Sequence, residues 1–218
     1  MKYTPITDEI HEYMSATFPA EDDFLRTLKR EADEAGFPPI HIAPEQVAFL
    51  QMFLKATGAK RVLEIGALAG YSAIGMARAL PEGSSLLTLE REPRHADFVR
   101  RKVREAGLEK VVEVRTGDAA QLLREIATDS IFDFVFIDAD KVGYTTYLDL
   151  TLPLVRVGGV ICGDNTLAWG NIADGTSTDK TVQALRNFNA AVSAHPQLQA
   201  CLLPIAEGMT FGVKVMSS

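Results

Sequence analysis

From residue 61 onward, short apolar runs alternate with amphipathic segments, and that alternation leaves few folds open. The runs are RVLEI (61–65), SLLTL (85–89), VVEVR (111–115), FDFVFI (132–137) and VGGVIC (157–162). Helices are expected between them, near 71–80, 93–106, 118–127 and 143–154. Pro93 suits a first helical turn and Gly107 a helix end. Apolar strands separated by helices predict a parallel sheet covered on both faces, with right-handed crossovers. After a long loop and a helix near 179–193, LQACLLPI and MTFGVKVM follow across a short AEG link. The last strand pair should therefore be antiparallel.

The first 58 residues read as helical. Ile6, Ile10 and Tyr13 share one face behind a Thr7/Asp8 cap signal. Phe24, Leu25, Leu28 and Ala32 share another, with Gly36 as its stop. Pro44 opens a third helix carrying Val47, Leu50 and Leu54, which Gly58 ends. We expect one domain over 1–218, with 1–58 as a helical cap segment and 59–218 as the core. A net charge of −7, with no Lys/Arg run longer than Arg100–Lys102, disfavours a bulk electrostatic grip on nucleic acid or an anionic membrane. Cys162 and Cys201 lie in apolar runs without a CxxC pattern and read as small core residues. There is no signal-peptide-like stretch and no 18-residue apolar run, so a soluble, cytoplasmic protein is expected.

Ligands of open parallel sheets bind beyond the carboxyl ends of the strands. Each of the five runs delivers an acid there: Glu64, Glu90, Asp118, Asp138 with Asp140, and Asp164. Surface turns are often charged, but five of five strand ends points to a site. EIGALAG (64–70) is a strand-to-helix glycine loop without the full GxGxxG spacing or the Lys-Ser/Thr of a phosphate loop. It suits a ligand without a pyrophosphate better than a dinucleotide. Glu90, 24 residues after Gly66, is placed to accept hydrogen bonds from two ribose hydroxyls. Together they suggest an adenosine with a free ribose. Asp118 could serve the adenine side, or cap the helix that follows, or both.

Asp138, Asp164 and Asn165 offer two carboxylates and an amide oxygen, hard donors that suit Mg²⁺ or Ca²⁺ better than Zn²⁺. None of the four histidines lies near these strand ends in sequence. Lys141 follows Asp138 by three residues and could face a cation there or pair with Asp140. A lysine beside a cation in a partly desolvated pocket gives up its proton more readily and can act as a general base.

VLEIGALAGYSAIGMARALP, the Glu90 strand end, VFIDADKVGYTTYLDL and VGGVICGDNTL together resemble the cation-dependent class I O-methyltransferases of the caffeoyl-CoA and catechol type. The resemblance runs from about residue 5 to the end. It implies an α/β Rossmann-like methyltransferase fold: a seven-stranded, mostly parallel sheet with an antiparallel final strand, helices on both faces and extra N-terminal helices. It implies S-adenosyl-L-methionine as donor and a divalent cation, Mg²⁺ first, with Ca²⁺ or Mn²⁺ as alternatives. Carried over, Asp138, Asp164 and Asn165 are metal ligands, and Lys141 and Asp138 are catalytic. Ile42, Glu64, Gly66, Ala67, Tyr71, Ser72, Glu90, Asp118, Ala119, Asp138 and Asp140 form the donor pocket, while Tyr147 packs beside it. Plant members carry Trp-Asn after the DNTL-type segment. Here Ala168 comes first and Trp169 takes the Asn position, a departure that falls where substrates would bind; Lys141 and Trp169 are the expected acceptor-side residues.

The expected reaction is methyl transfer to a hydroxyl of a small catechol-like aromatic such as a hydroxycinnamate or flavonoid. The family resemblance adds a homodimer. Rival readings are methylation of a hydroxylated tRNA base, a nicotinamide dehydrogenase, and a non-catalytic donor-binding protein.

Overall fold

The computed structural model describes residues 4–18, 21–127 and 131–216. Three helices come first: α1 (Asp8–Thr17), α2 (Asp23–Glu34) and α3 (Pro44–Thr57). Strands and helices then alternate: β1 (Arg61–Ile65), α4 (Tyr71–Ala77), β2 (Ser85–Glu90), α5 (Pro93–Glu105), β3 (Val112–Thr116), α6 (Ala119–Glu125), β4 (Phe132–Ile137), α7 (Tyr144–Thr151) and β5 (Val155–Gly163). A final helix α8 (Lys180–Ala194) precedes β6 (Leu198–Leu203) and β7 (Met209–Lys214). The sheet order is β3-β2-β1-β4-β5-β7-β6. β1 to β5 pair in parallel. β7 runs antiparallel to both β5 and β6, so it alone is reversed.

Side chains alternate across the pleat and divide the core in two. Val62, Phe134, Phe136, Val160 and Phe211 face α2 to α5, where Leu28, Val47, Leu50, Leu54 and Ile74 complete one cluster. Leu63, Ile65, Val135, Ile137 and Ile161 face α6 to α8 with Leu148, Leu185 and Phe188. Most of these are fully buried, and each such side chain contributes about 2 kcal/mol relative to exposure.

At the edges of the molecule one helix is left uncovered and one expectation fails. Helix α1 forms behind its Thr7 cap but buries nothing. Ile6, Tyr13 and Phe18 are each more than 60 % exposed, because no element of this chain covers that face among the described residues. Cys162 is a core residue as expected, but Cys201 is exposed. It sits on β6, the edge strand of the sheet, where Leu198 alone of the six residues is buried.

Candidate active site

Strand register builds the rim. Ile65 pairs with Ile137, and Ile137 with Gly163, so the next residues along β4 and β5 are Asp138 and Asp164, side by side. The ladder continues into them: Asp138 N–H donates to Ile65 O at 2.9 Å, and Asp164 N–H to Ile137 O at 3.0 Å. Above this edge lies a cavity of about 850 Å³. Every site residue expected from the sequence except Glu64 borders it.

Glu64 departs because of the pleat. It shares a face with Val62, one residue short of the rim, and is fully buried beneath α4. Ser72 Oγ and Thr88 Oγ1 each donate to it at 2.5 Å. Burial, reinforced by the charges of Asp138 and Glu90 and opposed by the two hydroxyls, pushes its carboxyl up to about 7. Glu64 therefore reaches the cavity only through Ser72.

The glycine loop also has a reason internal to the chain. Gly66 has φ +93°, and a Cβ there would lie 2.0 Å from the Asp138 carbonyl oxygen. Glycine is needed so that the β1 loop can cross the end of β4. Glu90 then clamps the loop. One of its oxygens accepts N–H bonds from Ala67 (3.1 Å) and Leu68 (2.8 Å), and the other accepts from Glu92 (2.9 Å). A carboxylate has about four acceptor positions, so about one is left to receive a hydroxyl of a ligand. Asp118 caps α6 through Gln121 N–H at 2.9 Å while lining the cavity with Ala119. Ile42 is buried at the opposite wall. Tyr71 donates to Glu21 Oε1 at 2.5 Å, and Lys29 reaches the same oxygen, also at 2.5 Å. Burial and Glu21 together push the Tyr71 hydroxyl far above its ordinary pKa.

On the β4–β5 side, Lys141 Nζ donates to Asp138 Oδ1 at 2.8 Å and to Tyr144 Oη at 2.7 Å. Its partner is thus Asp138, not Asp140. Asp140 instead accepts from Tyr147 Oη (2.5 Å) and Gly143 N–H (3.0 Å). Asp164 is 1 % exposed, and its Oδ2 is buried without a hydrogen-bond partner among the described residues. Burial first, and the charge of Asp138 next, push its carboxyl up to about 7. An orphaned carboxylate oxygen beside a second carboxylate is what a hard cation would satisfy. No group of three or more His, Cys, Asp or Glu that could hold a metal ion occurs among the described residues. Asp138, Asp164 and Asn165 all border the cavity.

Asn165, Ala168 and Trp169 have φ of 56°, 51° and 52°, an unusual run of left-handed residues outside glycine. Leu167 N–H to Glu207 O (2.9 Å) and Thr166 N–H to Gly208 O (3.0 Å) hold this segment. Trp169, 55 % exposed, borders the cavity.

Sequence reasoning missed Gln46 and Tyr144. Tyr144 is fully buried, donates to the Asp164 carbonyl at 3.1 Å and packs edge-on to Phe188. Its signal was the three-residue spacing from Lys141. The signal of Gln46 was an amide on the stripe continued by Leu50 and Leu54.

The sequence model of the O-methyltransferase family matches residues 12–215. This chain belongs to that family. The O-methyltransferase is 40 % identical over 200 residues to a catechol O-methyltransferase from Niastella koreensis, covering 91 % of this chain and 90 % of that one. It is 31 % identical over 216 residues to caffeoyl-CoA O-methyltransferase 1 from Arabidopsis thaliana, covering 94 % and 83 %. An O-methyltransferase from Bacillus cereus, solved in complex with SAH, superposes with a TM-score of 0.88 at 36 % identity, covering 94 % and 97 %. The expected family, seven-stranded fold and enzyme class are borne out.

Proposed function

We propose that this O-methyltransferase moves a methyl group from S-adenosyl-L-methionine to one hydroxyl of a small catechol-like aromatic, with a divalent cation, Mg²⁺ first. The observation that carries this reading is the pair Asp138 and Asp164 on adjacent strand ends, with an unpartnered Asp164 oxygen and Lys141 bonded to Asp138. The catechol and caffeoyl-CoA names of its relatives support a vicinal dihydroxy acceptor such as a hydroxycinnamate or flavonoid.

Asp138, Asp164 and Asn165 would hold the cation, which supplies Lewis acidity toward vicinal acceptor oxygens. The donor supplies an activated methyl group on a sulfonium. Gly66, Ala67, Ser72, Glu90, Asp118, Ala119 and Asp140 would line its pocket, with Ile42 and Tyr71 at the amino-acid end. Lys141 Nζ takes the proton that the acceptor hydroxyl loses. Asp138 and Tyr144 keep it aimed, and no Ser or Cys nucleophile is required. Trp169 offers an exposed aromatic face at the cavity edge for a planar acceptor.

The rest of the reading is one domain, with 1–58 as a cap on the 59–218 core, acting as a cytoplasmic homodimer. The exposed apolar side chains of α1 support a dimer. No described helix is long and apolar enough to cross a membrane. The tRNA alternative would draw on the local basic patch Arg100–Arg104, whose Arg100, Arg101, Lys102 and Arg104 are ion-paired with Asp97, Glu31, Glu105 and Glu109.

The test is labelled methyl transfer to catechols, flavonoids, hydroxycinnamates and tRNA, with and without chelator. Catechol methylation abolished by chelator is expected. Chelator-insensitive turnover would remove the cation from the mechanism.

A further inference from the structure

Gln46 lies in the first turn of α3 and is 2 % exposed. The backbone fixes which way its amide faces. Ala43 N–H donates to its Oε1 at 2.9 Å, so the amide nitrogen must point the other way. That nitrogen donates to Asp164 Oδ1 at 2.5 Å, across 118 positions of sequence. The bond occupies one carboxylate oxygen and leaves Oδ2 as the orphan. An amide holding one oxygen also stops the carboxylate from rotating, which is how a supporting residue orients a metal ligand. The same amide ties down the strap of residues 38–43, which walls the cavity opposite the strand ends.

We propose that Gln46 is a positioning residue that aims Asp164 at the cation and, through its bond to Ala43, couples cation loading to the ordering of the 38–43 strap. This rests on the cation reading above. A neutral amide suits the place, since a glutamate there would add a third carboxylate beside Asp138 and Asp164. Leucine would remove both bonds. Glutamate would keep an acceptor for Ala43 N–H and lose only the donor to Asp164.

Mn²⁺ binding, followed by electron paramagnetic resonance without donor or acceptor, tests the first half on wild type, Gln46→Leu and Gln46→Glu. Hydrogen exchange of residues 38–43 with and without Mg²⁺ tests the second. Gln46→Leu should weaken Mn²⁺ binding roughly 10- to 100-fold and abolish the Mg²⁺-dependent protection of the strap. Its Mg²⁺-induced rise in Tm should be smaller than wild type. Gln46→Glu should melt lower than wild type without Mg²⁺ and show a larger Mg²⁺-induced rise. Opposite shifts from one position are not the mark of a residue that only fills space. Should Gln46→Leu misfold, Gln46→Glu still decides the matter, because a Mg²⁺ response equal to wild type would overturn the proposal. So would wild-type Mn²⁺ affinity in a folded Gln46→Leu. Wild-type protein that binds no Mn²⁺ would instead overturn the cation reading, and this role with it.

Discussion

At the β1–β3 end of the rim the acids are already bonded within the chain, whereas at the β4–β5 end one carboxylate oxygen has no partner among the described residues. Glu64 is held by two hydroxyls, Glu90 by three backbone amides and Asp118 by the first turn of its helix. Asp164 keeps a buried oxygen to which nothing donates among the described residues, beside the carboxylate of Asp138. A carboxylate whose lone pairs are used by its own chain organises structure, and any ligand takes what capacity is left. A carboxylate left unsatisfied costs stability until a ligand arrives. Substitutions of Glu90 and of Asp164 should therefore differ in sign as well as in size.

The largest effect is expected at Lys141. Lys141→Ala removes the proton acceptor and should lower kcat by about 10²- to 10⁴-fold, with donor affinity nearly unchanged. Single-turnover methyl transfer measures this directly, and a loss under threefold would remove the general-base role. Asp164→Asn should abolish chelator-sensitive turnover while making the cation-free protein more stable at pH 8. The gain should be on the order of 2 kcal/mol, since a buried, repelled charge is lost. Glu90→Ala should do the reverse at the other end. It strands the amides of Ala67 and Leu68 and should cost roughly 2–3 kcal/mol in denaturant unfolding. Matching signs for Asp164→Asn and Glu90→Ala would break the comparison.

Much of this contrast could be anticipated from the residues, and some could not. The strands were legible because each is a short apolar run, and the meeting of Asp138 with Asp164 was legible because both follow such runs at one edge. Glu64 was grouped with the rim because it ends an apolar run, although its two-residue offset from Val62 turns it toward α4. The loop glycine reads in sequence as room for a ligand. Only the packed structure reveals that the Asp138 carbonyl occupies that room. Gln46 stayed hidden because its partner is 118 residues away and hydrogen bonding at that range leaves no local pattern. The exposure of α1 and of Cys201 was hidden for a related reason: apolar sequence states that a surface can be covered, not that it is.

Glu64 gives the comparison a pH dependence. Its folded-state carboxyl titrates near 7, above its ordinary 4.5. Below pH 4.5 both folded and unfolded chains are protonated and nothing is lost. As pH rises toward 7 the unfolded chain releases its proton first, so the folded state loses stability over that window. The loss is complete above 7, and a shift of this size corresponds to about 3 kcal/mol at most. Glu64→Gln removes the titration. Unfolding of wild type and Glu64→Gln, both with chelator, should diverge in favour of the variant between pH 4.5 and 7.5. Parallel curves would mean that Ser72 and Thr88 already hold the ionised form at no cost.

The smallest effect separates two uses of one carboxylate. Asp118 caps α6 and also borders the cavity, so loss of its side chain confounds helix stability with ligand binding. Asparagine caps a helix about as well as aspartate, whereas alanine costs about 1 kcal/mol. Asp118→Ala should therefore lower stability by that amount, and Asp118→Asn should leave it nearly unchanged. If Asp118 serves only the helix, Asp118→Asn will bind SAH in calorimetry as wild type does. If its charge also meets the adenine side, Asp118→Asn will weaken SAH several-fold with no change in Tm. The first result would make this carboxylate purely architectural. The second would show that an acid committed to its own chain can still serve a ligand with its remaining lone pairs.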